Sequence, residues 1–379
     1  MTLSYTQATP APLASARRVV IKISSSLLVD GAREEVRHDW LAGFIKDVVA
    51  CRNAGQDIIL VTSGAVALGR RVLKLPPGPL RLEESQAAAA CGQIRLAHAY
   101  QEALALHSVA VAQILLTPSD TEERRSYLNV RATLRNLLGL GVIPIINEND
   151  TVTTPALRFT DNDQLAARVA AMMEADVLLL LSDTEGFYTA DPGLDPTAQF
   201  IPEVRAITPE IAAMAGETRS GTGRGGMKAK LVAARIAMKA GCAMAIARGS
   251  LAHPVQALRD GGRCTWFLPE HSPVAAWKIW IAGSLNPQGV LNIDAGAAQA
   301  LQQGKSLLAA GVVAVTGAFE RGDPVSVRIQ NGAEIARGLI AYNGDEARKI
   351  MGHKSEAFEH LLGYSSREEM IHRDDLALV

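Results

Sequence analysis

Residues Arg18 to Ile23 have the sequence RVVIKI, a short β-branched run that leads into three serines, Ser24 to Ser26. Similar runs recur through the first 265 residues and alternate with longer segments of helical periodicity. A strand followed by a helix of about 10 to 20 residues and another strand requires a crossover connection. The pattern therefore predicts an α/β fold, an αβα sandwich with a mainly parallel central sheet.

The elements of this region are placed by their apolar periodicity and by the glycines and polar residues between them. Strands are predicted at residues 18–23, 58–61, 109–115, 142–146, 177–181 and 243–247. Helices are predicted at residues 40–54, 84–106, 127–138, 163–174 and 227–239. Ligands bind such sheets at the carboxyl ends of the strands, so we expect a site in the loops that follow them.

The character of the sequence changes after Cys264. From Gly289 onward, glycines separate alternating runs, with strands predicted at residues 312–315 and 324–329 and helices at 295–303 and 346–351. This pattern is typical of a small β-rich barrel or sandwich. We predict a flexible leader at residues 1–16, an α/β domain at 17–265, a linker at 266–287 and a β-rich domain with a C-terminal tail at 288–379.

The composition argues against several classes of protein. Apolar residues make up 48% of the chain, charged residues 20%, and the net charge of -1 gives no long-range attraction to nucleic acid or an anionic membrane. No apolar run approaches the roughly 18–20 residues of a membrane span, and the N-terminus lacks the apolar segment of a signal peptide. Cys51, Cys91, Cys242 and Cys264 have no CxxC spacing, which favours reduced thiols in a cytoplasmic protein.

Two of the predicted strands end in residues suited to an anion. Lys22 lies at the end of the first strand, where a buried ammonium group is costly unless an anion offsets its desolvation. Thr62-Ser63-Gly64-Ala65 follows the strand at 58–61 and offers amides and a hydroxyl. The alternatives are a lysine whose ammonium group reaches solvent and a serine that only caps a helix.

Polar side chains are concentrated after the strand at 142–146. Asn147-Glu148-Asn149-Asp150 follows it directly, and Asp161-Asn162-Asp163 comes eleven residues later. Carboxylates suit an α-ammonium group, and amide or hydroxyl donors suit an α-carboxylate, so the pattern is consistent with an amino acid site. The alternatives are a simple turn and a divalent-metal site, although the spacing is not that of a calcium loop.

The segment Gly221 to Lys230, GTGRGGMKAK, has four glycines directly ahead of an amphipathic helix. Glycine amides, the positive end of the helix dipole and Lys230 together indicate a phosphate site. The segment matches neither a Walker A loop nor a dinucleotide-binding fingerprint. A flexible loop is the alternative.

Taken together, these loops predict phosphoryl transfer to a small zwitterion. Lys22, Lys230 and the glycine amides can position and neutralise a γ-phosphoryl group, and these are the main requirements of this chemistry. The loops contain no convincing His or Glu base. A carboxylate acceptor, with a pKa near about 4.3, is ionised at neutral pH and needs none.

At these residues the sequence resembles the amino acid kinase superfamily and, within it, the glutamate 5-kinases. The resemblance extends from about Arg18 to Asp375, through VVIK, VTSGA, VIPIINEND, DND, LLLLSDTEGFYTADP and GRGGMKAK. INEND together with DND is its distinctive part. The resemblance implies an amino acid kinase-like fold and transfer of the γ-phosphoryl group of ATP to the side-chain carboxylate of L-glutamate, the first step of proline biosynthesis.

The resemblance also implies roles for individual residues. Lys22 and Lys230 would act on the phosphoryl group, and Asp163 would hold both lysines. The glutamate-binding residues would be Ser63, Asn147, Asp150 and Asn162. The ATP-binding residues would be Ser182, Asp183, Arg224, Gly225, Gly226, Met227, Lys228, Ala229 and Lys230. Mg²⁺ would arrive on the nucleotide phosphates, with no metal site in the protein itself.

Three positions depart from the family pattern. Ser24 and Thr160 replace glycines, and Arg224 stands where threonine is usual. A Cβ at position 24 would crowd the phosphate unless φ is negative. Two alternatives stay open: a related kinase that acts on another carboxylate, and an RNA-binding or regulatory protein built around the C-terminal domain.

The C-terminal region resembles PUA domains through GKSLLAAGV at residues 304–312 and FERGDPV at residues 319–325. Residues 284–379 contain nine Lys or Arg and twelve Asp or Glu, an acidic excess that argues against an RNA partner. The resemblance further implies proline as a feedback inhibitor, a homodimer or tetramer, and transient contact with the next enzyme, glutamyl phosphate reductase. No membrane partner is expected.

Overall fold

The computed structural model describes residues 12–154, 159, 161–216, 226–284, 286–329, 332–364 and 367–379. The chain divides into two compact units, Met1–Pro273 and Val274–Val379. Each unit has a core of its own, and each is described separately below.

The first unit is built on an eight-stranded sheet. In chain order, the strands of this unit are β1 (Arg18–Ile23), β2 (Val29–Asp30), β3 (Glu35–Val36), β4 (Asp57–Val61), β5 (Val111–Leu116), β6 (Ile143–Glu148), β7 (Val177–Ser182), β8 (Phe187–Tyr188), β9 (Phe200–Ile201), β10 (Glu203–Val204), β11 (Ala243–Arg248) and β12 (Cys264–Phe267). The sheet order is β10-β12-β11-β7-β1-β4-β6-β5, and β2–β3 and β8–β9 form two short ribbons. Among the strand pairs of this sheet that the structure describes, only β11–β12 is antiparallel, so the predicted mainly parallel sheet is confirmed.

Helices cover both faces of this sheet. They are α1 (Pro12–Ser15), α2 (Ser25–Leu28), α3 (His38–Asn53), α4 (Ala65–Val72), α5 (Leu82–Ala105), α6 (Pro118–Glu122), α7 (Arg124–Gly139), α8 (Asn162–Met172), α9 (Pro209–Ala213), α10 (Met227–Lys239) and α11 (Pro254–Arg259). Alternate residues of β1 enter different cores, because successive side chains of a strand point to opposite faces. Ile21 belongs to the core with Phe44 of α3, and Val20 to the core with Leu165 of α8.

The six strands and five helices predicted for this unit are all present, with ends that differ from the predictions by three residues at most. Buried strands and strongly periodic helices are the elements that apolar patterning identifies best. Helix α4 follows the Ser63-Gly64 turn, where a capped helix was one of the two interpretations, although no range was predicted for it.

The predicted flexible leader is wrong for residues 12–16. Residues Pro12–Ser15 form helix α1, and Leu13 is only 1% exposed. Nε2 of Gln56 donates to the carbonyl oxygens of Leu13 and Ala16, at 2.9 and 2.7 Å. An apolar anchor and two buried hydrogen bonds therefore fix this segment, while residues 1–11 lie outside the described residues.

The predicted linker at residues 266–287 contains regular structure. Strand β12 ends at Phe267 within it, and helix α12 (Pro273–Ser284) occupies its second half. The division between the two units falls inside this range, at residues 273 and 274. The sequence of α12, PVAAWKIWIAGS, is apolar around most of the helix and lacks the one-sided spacing by which helices are predicted.

The second unit is β-rich, as predicted. After α12 its elements are β13 (Gly289–Ile293), α13 (Ala295–Gln302), β14 (Leu307–Leu308), β15 (Val312–Gly317), β16 (Pro324–Ile329), β17 (Glu334–Leu339), α14 (Gly344–Ile350), α15 (Phe358–Leu362), β18 (Glu369–Ile371) and β19 (Leu376–Leu378). A five-stranded sheet has the order β15-β13-β16-β17-β19, and β14 pairs with β18. In the part of the chain that the structure describes, no helix has the length and apolar character needed to span a bilayer.

Candidate active site

The carboxyl ends of four neighbouring strands, β7, β1, β4 and β6, form one edge of the first unit's sheet. Lys22 is the second-last residue of β1 and is in register with Val61 of β4 and Leu180 of β7. The Ser63 turn, the polar loop after β6 and Ser182 of β7 occupy the same edge. Parallel pairing thus gathers motifs that are far apart in the sequence.

The three predicted catalytic residues meet at a single carboxylate. Nζ of Lys22 lies 2.6 Å from Oδ1 of Asp163, and Nζ of Lys230 lies 2.8 Å from Oδ2 of the same residue. Asp163 is fully buried, and the lysines are 5% and 6% exposed. One buried carboxylate thus holds two ammonium groups, one from the sheet and one from α10.

The ionisation of this group is set by a balance between burial and charge. Burial alone would favour the neutral carboxyl of Asp163, but the two lysines outweigh it and hold its pKa well below the usual range. Burial would likewise lower the pKa of Lys22, yet the neighbouring carboxylates Asp163 and Asp161 raise it above its ordinary value. Asp163 and Lys22 are therefore both charged at neutral pH.

Asp161 is a site residue to which the sequence analysis gave no role. It caps the N-terminus of α8, with its Oδ1 accepting a hydrogen bond from the amide of Asp163 at 3.1 Å. The same oxygen lies 3.9 Å from Nζ of Lys22, and the buried Oδ2 has no hydrogen-bond partner among the described residues. Burial, followed by repulsion from Asp163, raises the pKa of Asp161. Its place in the DND motif was the only available signal.

Replacing Asp161 with asparagine should raise the melting temperature at pH 7 by a few degrees. Asparagine keeps the cap of α8 and removes a charge that its surroundings disfavour. Because the folded pKa of Asp161 is raised, its unfavourable contribution is present at neutral pH and vanishes as pH falls below the usual carboxyl range. Calorimetry of both proteins should show that the difference between their melting temperatures shrinks from pH 7 to pH 4. A less stable Asp161→Asn protein at pH 7 would contradict this balance of charges.

Three of the residues that the resemblance assigns to the amino acid pocket are joined by hydrogen bonds. Nδ2 of Asn162 lies 2.8 Å from Oδ1 of Asn147, 2.9 Å from Oγ of Ser63 and 2.6 Å from the carbonyl oxygen of Thr62. Asp150, the fourth residue, lies half-buried in the turn that follows β6. The far end of this loop is tied to β6, since the amide of Phe159 donates to Oε1 of Glu148 at 2.9 Å.

Gly64 shapes the turn that presents Ser63. It precedes α4 with a φ of 112°, a left-handed backbone conformation that residues with a Cβ rarely adopt. A Cβ at this position would also lie 2.8 Å from Cγ2 of Val29. The glycine thus lets β4 turn sharply into α4, which leaves Ser63 at the sheet edge.

Among the residues assigned to the nucleotide, Ser182 and Asp183 lie at the end of β7, which pairs with β1 on the side opposite to β4. Ser182 ends β7 and is buried, and its Oγ donates to Oδ1 of Asp183 at 2.8 Å. The first turn of α10 supplies Met227, Lys228, Ala229 and Lys230, directly after Gly226. The amides of Ala229 and Lys230 donate to the carbonyl oxygen of Gly226, at 3.0 and 3.3 Å, so the amides that precede them in this turn are the ones suited to phosphate oxygens. Arg224 and Gly225 lie outside the described residues, as does Thr160.

Ser24 adopts a conformation that any residue tolerates. Its φ is -69° and its ψ 143°, and its amide donates to the carbonyl oxygen of Leu181 at 3.3 Å. The serine therefore brings no backbone strain to the loop after β1.

The sequence pattern of the amino acid kinase family matches residues 17–248, and that of the PUA domain matches residues 289–362. The glutamate 5-kinase of Paramagnetospirillum magneticum is 59% identical over 367 residues, which is 97% of this chain and 99% of that protein. Those of Paracoccus denitrificans and Dinoroseobacter shibae are 57% and 55% identical, covering 97% of this chain and 98% and 100% of theirs. The chain therefore belongs to the amino acid kinase family and, within it, to the glutamate 5-kinases.

Proposed function

We propose that this chain transfers the γ-phosphoryl group of ATP to the side-chain carboxylate of L-glutamate, and that the predicted site residues carry out this step. The products are ADP and γ-glutamyl phosphate, and the reaction is the first step of proline biosynthesis. The observation that supports the site best is the buried carboxylate of Asp163 between the ammonium groups of Lys22 and Lys230. The similarity to glutamate 5-kinases over nearly the whole chain supports the acceptor.

In the proposed step, a side-chain oxygen of glutamate forms a bond to the γ-phosphorus. The bond between that phosphorus and the bridging oxygen breaks, and ADP leaves with its electron pair. Negative charge spreads over the equatorial phosphoryl oxygens, where Lys22 and Lys230 stabilise it. Asp163 holds both ammonium groups in place before the substrates bind. Since the acceptor is already a carboxylate, no proton has to be removed.

Glutamate would be held by Ser63, Asn147, Asp150 and Asn162. The carboxylate of Asp150 suits the α-ammonium group, and the hydroxyl of Ser63 suits the α-carboxylate. The hydrogen bonds between Asn162, Asn147 and Ser63 fix these groups in advance, which lowers the entropic cost of binding.

ATP would lie along the carboxyl end of β7 and the N-terminus of α10, against Ser182, Asp183 and the segment from Arg224 to Lys230. The buried Lys230 would reach the transferring phosphoryl group. The exposed Lys228 would reach the phosphates that lie further from that group. Mg²⁺ would bind the nucleotide phosphates and neutralise part of their charge. Oxygen-rich phosphates are the ligands that this hard cation prefers.

The same family membership supports proposals about an effector, about partners and about the second unit. We propose proline as a feedback inhibitor, a homodimer or tetramer in the cytoplasm, transient contact with glutamyl phosphate reductase, and a structural or regulatory role for the second unit. The net charge of -3 over residues 284–379 supports that role over RNA binding. Measuring the reaction rate with added proline tests the proposed feedback inhibition. Sedimentation velocity tests the oligomeric state, and its repetition with the reductase or with RNA tests binding to each of them.

The activity is tested by trapping the acyl phosphate with hydroxylamine. Purified protein should form γ-glutamyl hydroxamate in a reaction that requires ATP, Mg²⁺ and glutamate. Aspartate and N-acetylglutamate are tested side by side with glutamate as alternative acceptors. Signal with glutamate alone supports the proposal. A folded protein that forms hydroxamate only from another acceptor would overturn it.

A further inference from the structure

Helix α5 presents three polar side chains toward the amino acid pocket at intervals of seven residues. Nε2 of Gln86 donates to the carbonyl oxygen of Thr153 at 3.0 Å. Oε1 of Gln93 accepts from Nδ2 of Asn147 at 2.9 Å, and the hydroxyl of Tyr100 lies 3.1 Å from Oγ1 of Thr62. Seven residues are almost two helical turns, so the three side chains lie on one face of α5. None of them belongs to the predicted site.

Gln93 is buried, and the helix that carries it is closely packed. The side chain is 8% exposed. At the preceding Gly92, a Cβ would lie 1.7 Å from the carbonyl oxygen of Ala65 in α4, so the two helices cross in close contact. Because the backbone of α5 cannot shift without moving α4, Gln93 is a rigid support for whatever it contacts.

One backbone atom fixes which group donates and which accepts in the chain of hydrogen bonds that links Gln93, Asn147 and Asn162. The carbonyl oxygen of Thr62 can only accept, so the group of Asn162 that faces it is the NH₂ group. The group of Asn147 that faces this NH₂ is therefore its Oδ1, and its other end is an NH₂ that requires an acceptor. Oε1 of Gln93 supplies that acceptor.

We infer that Gln93 is a positioning residue for glutamate binding, acting through Asn147 on Asn162. The two N–H groups of Asn162 are shared among the oxygens of Thr62, Ser63 and Asn147, so its Oδ1 is directed away from them and accepts from the α-ammonium group of glutamate. Without Gln93, Asn147 can reverse its amide and place an NH₂ group against that of Asn162. The inference rests on the proposed assignment of Asn147 and Asn162 to the glutamate pocket.

The test is Gln93→Leu, with Gln101→Leu as the matched control, because Gln101 is an exposed glutamine of the same helix. Gln93→Leu should raise the KM for glutamate roughly tenfold, the effect expected from a buried amide left without its partner. The KM for ATP and kcat should change little, and Gln101→Leu should resemble the wild type. Gln93→Met replaces Gln93→Leu if the latter is not recovered folded.

Glutarate, which lacks the α-ammonium group, separates positioning from general damage. The ratio of the inhibition constant of glutarate to the KM for glutamate should fall roughly tenfold in Gln93→Leu, since only glutamate loses a contact. An unchanged ratio or an unchanged KM for glutamate would overturn the inference. In a double-mutant cycle, Gln93→Leu should add little to Asn162→Ala, and additive effects on KM would also overturn it. An Asn162→Ala protein with normal KM would instead contradict the proposed pocket.

Discussion

Replacing Lys230 with methionine should lower kcat on the order of a thousandfold, because the charge that we propose acts on the transferring phosphoryl group is lost. Methionine keeps most of the length and the apolar stem of the side chain, so the packing of α10 should be preserved. Asp163 keeps its contact with Lys22 at 2.6 Å, and no buried charge is left without a partner. The variant should therefore fold.

The kinetic constants distinguish a role in the transition state from a role in binding. If Lys230 stabilises the phosphoryl group mainly as it transfers, kcat should fall far more than the KM for ATP rises. Hydroxamate formation at saturating ATP and glutamate gives kcat, and circular dichroism gives the fold. Lys239→Met is the matched control, since Lys239 is exposed at the other end of the same helix. A folded Lys230→Met protein with near-normal kcat would rule out the proposed mechanism.

The loops of the site could be predicted from the sequence, but their geometry could not. Lys22, Asp163 and Lys230 each lie where the sequence analysis expected a site, at a strand end or a helix start. Each lysine contacts a different oxygen of the Asp163 carboxylate, and this geometry depends on the order of the strands in the sheet. Strand order depends on contacts between distant segments, which local periodicity does not encode.

Residues that act through other residues were missed for a different reason. Gln93 lies within an Ala-rich helix, and apart from the preceding Gly92 its neighbours along the chain do not distinguish it from the exposed Gln101. Its role depends on which face of α5 meets β6, and that is a property of the packed structure. The apolar helix α12 was missed for the opposite reason, since it has apolar residues on most of its surface and so shows no period.

Replacing Asp163 with asparagine should lower the free energy of unfolding at pH 7 by about 3–5 kcal/mol, the cost of removing one partner from a buried ion pair. Two buried ammonium groups, those of Lys22 and Lys230, would then face a neutral amide, although Asp161 would still lie 3.9 Å from Lys22. Kinase activity should be lost as well, since the two lysines are no longer fixed. Glu35→Gln is the control, because it removes a half-exposed carboxylate that pairs with Arg71 and should cost about 1 kcal/mol or less.

The pH dependence of this difference identifies the charge as its cause. The pKa of Asp163 is lowered in the folded protein, so its stabilising contribution is complete above the usual carboxyl pKa of about 3.9 and is lost as pH falls toward the folded value. The gap in the free energy of unfolding between wild type and Asp163→Asn should thus narrow as pH falls below about pH 4, where Asp163 takes up its proton. Urea denaturation across this range measures it. If the variant were as stable as the wild type at pH 7, other groups would have to balance both lysines, and Asp163 would not be the residue that holds them.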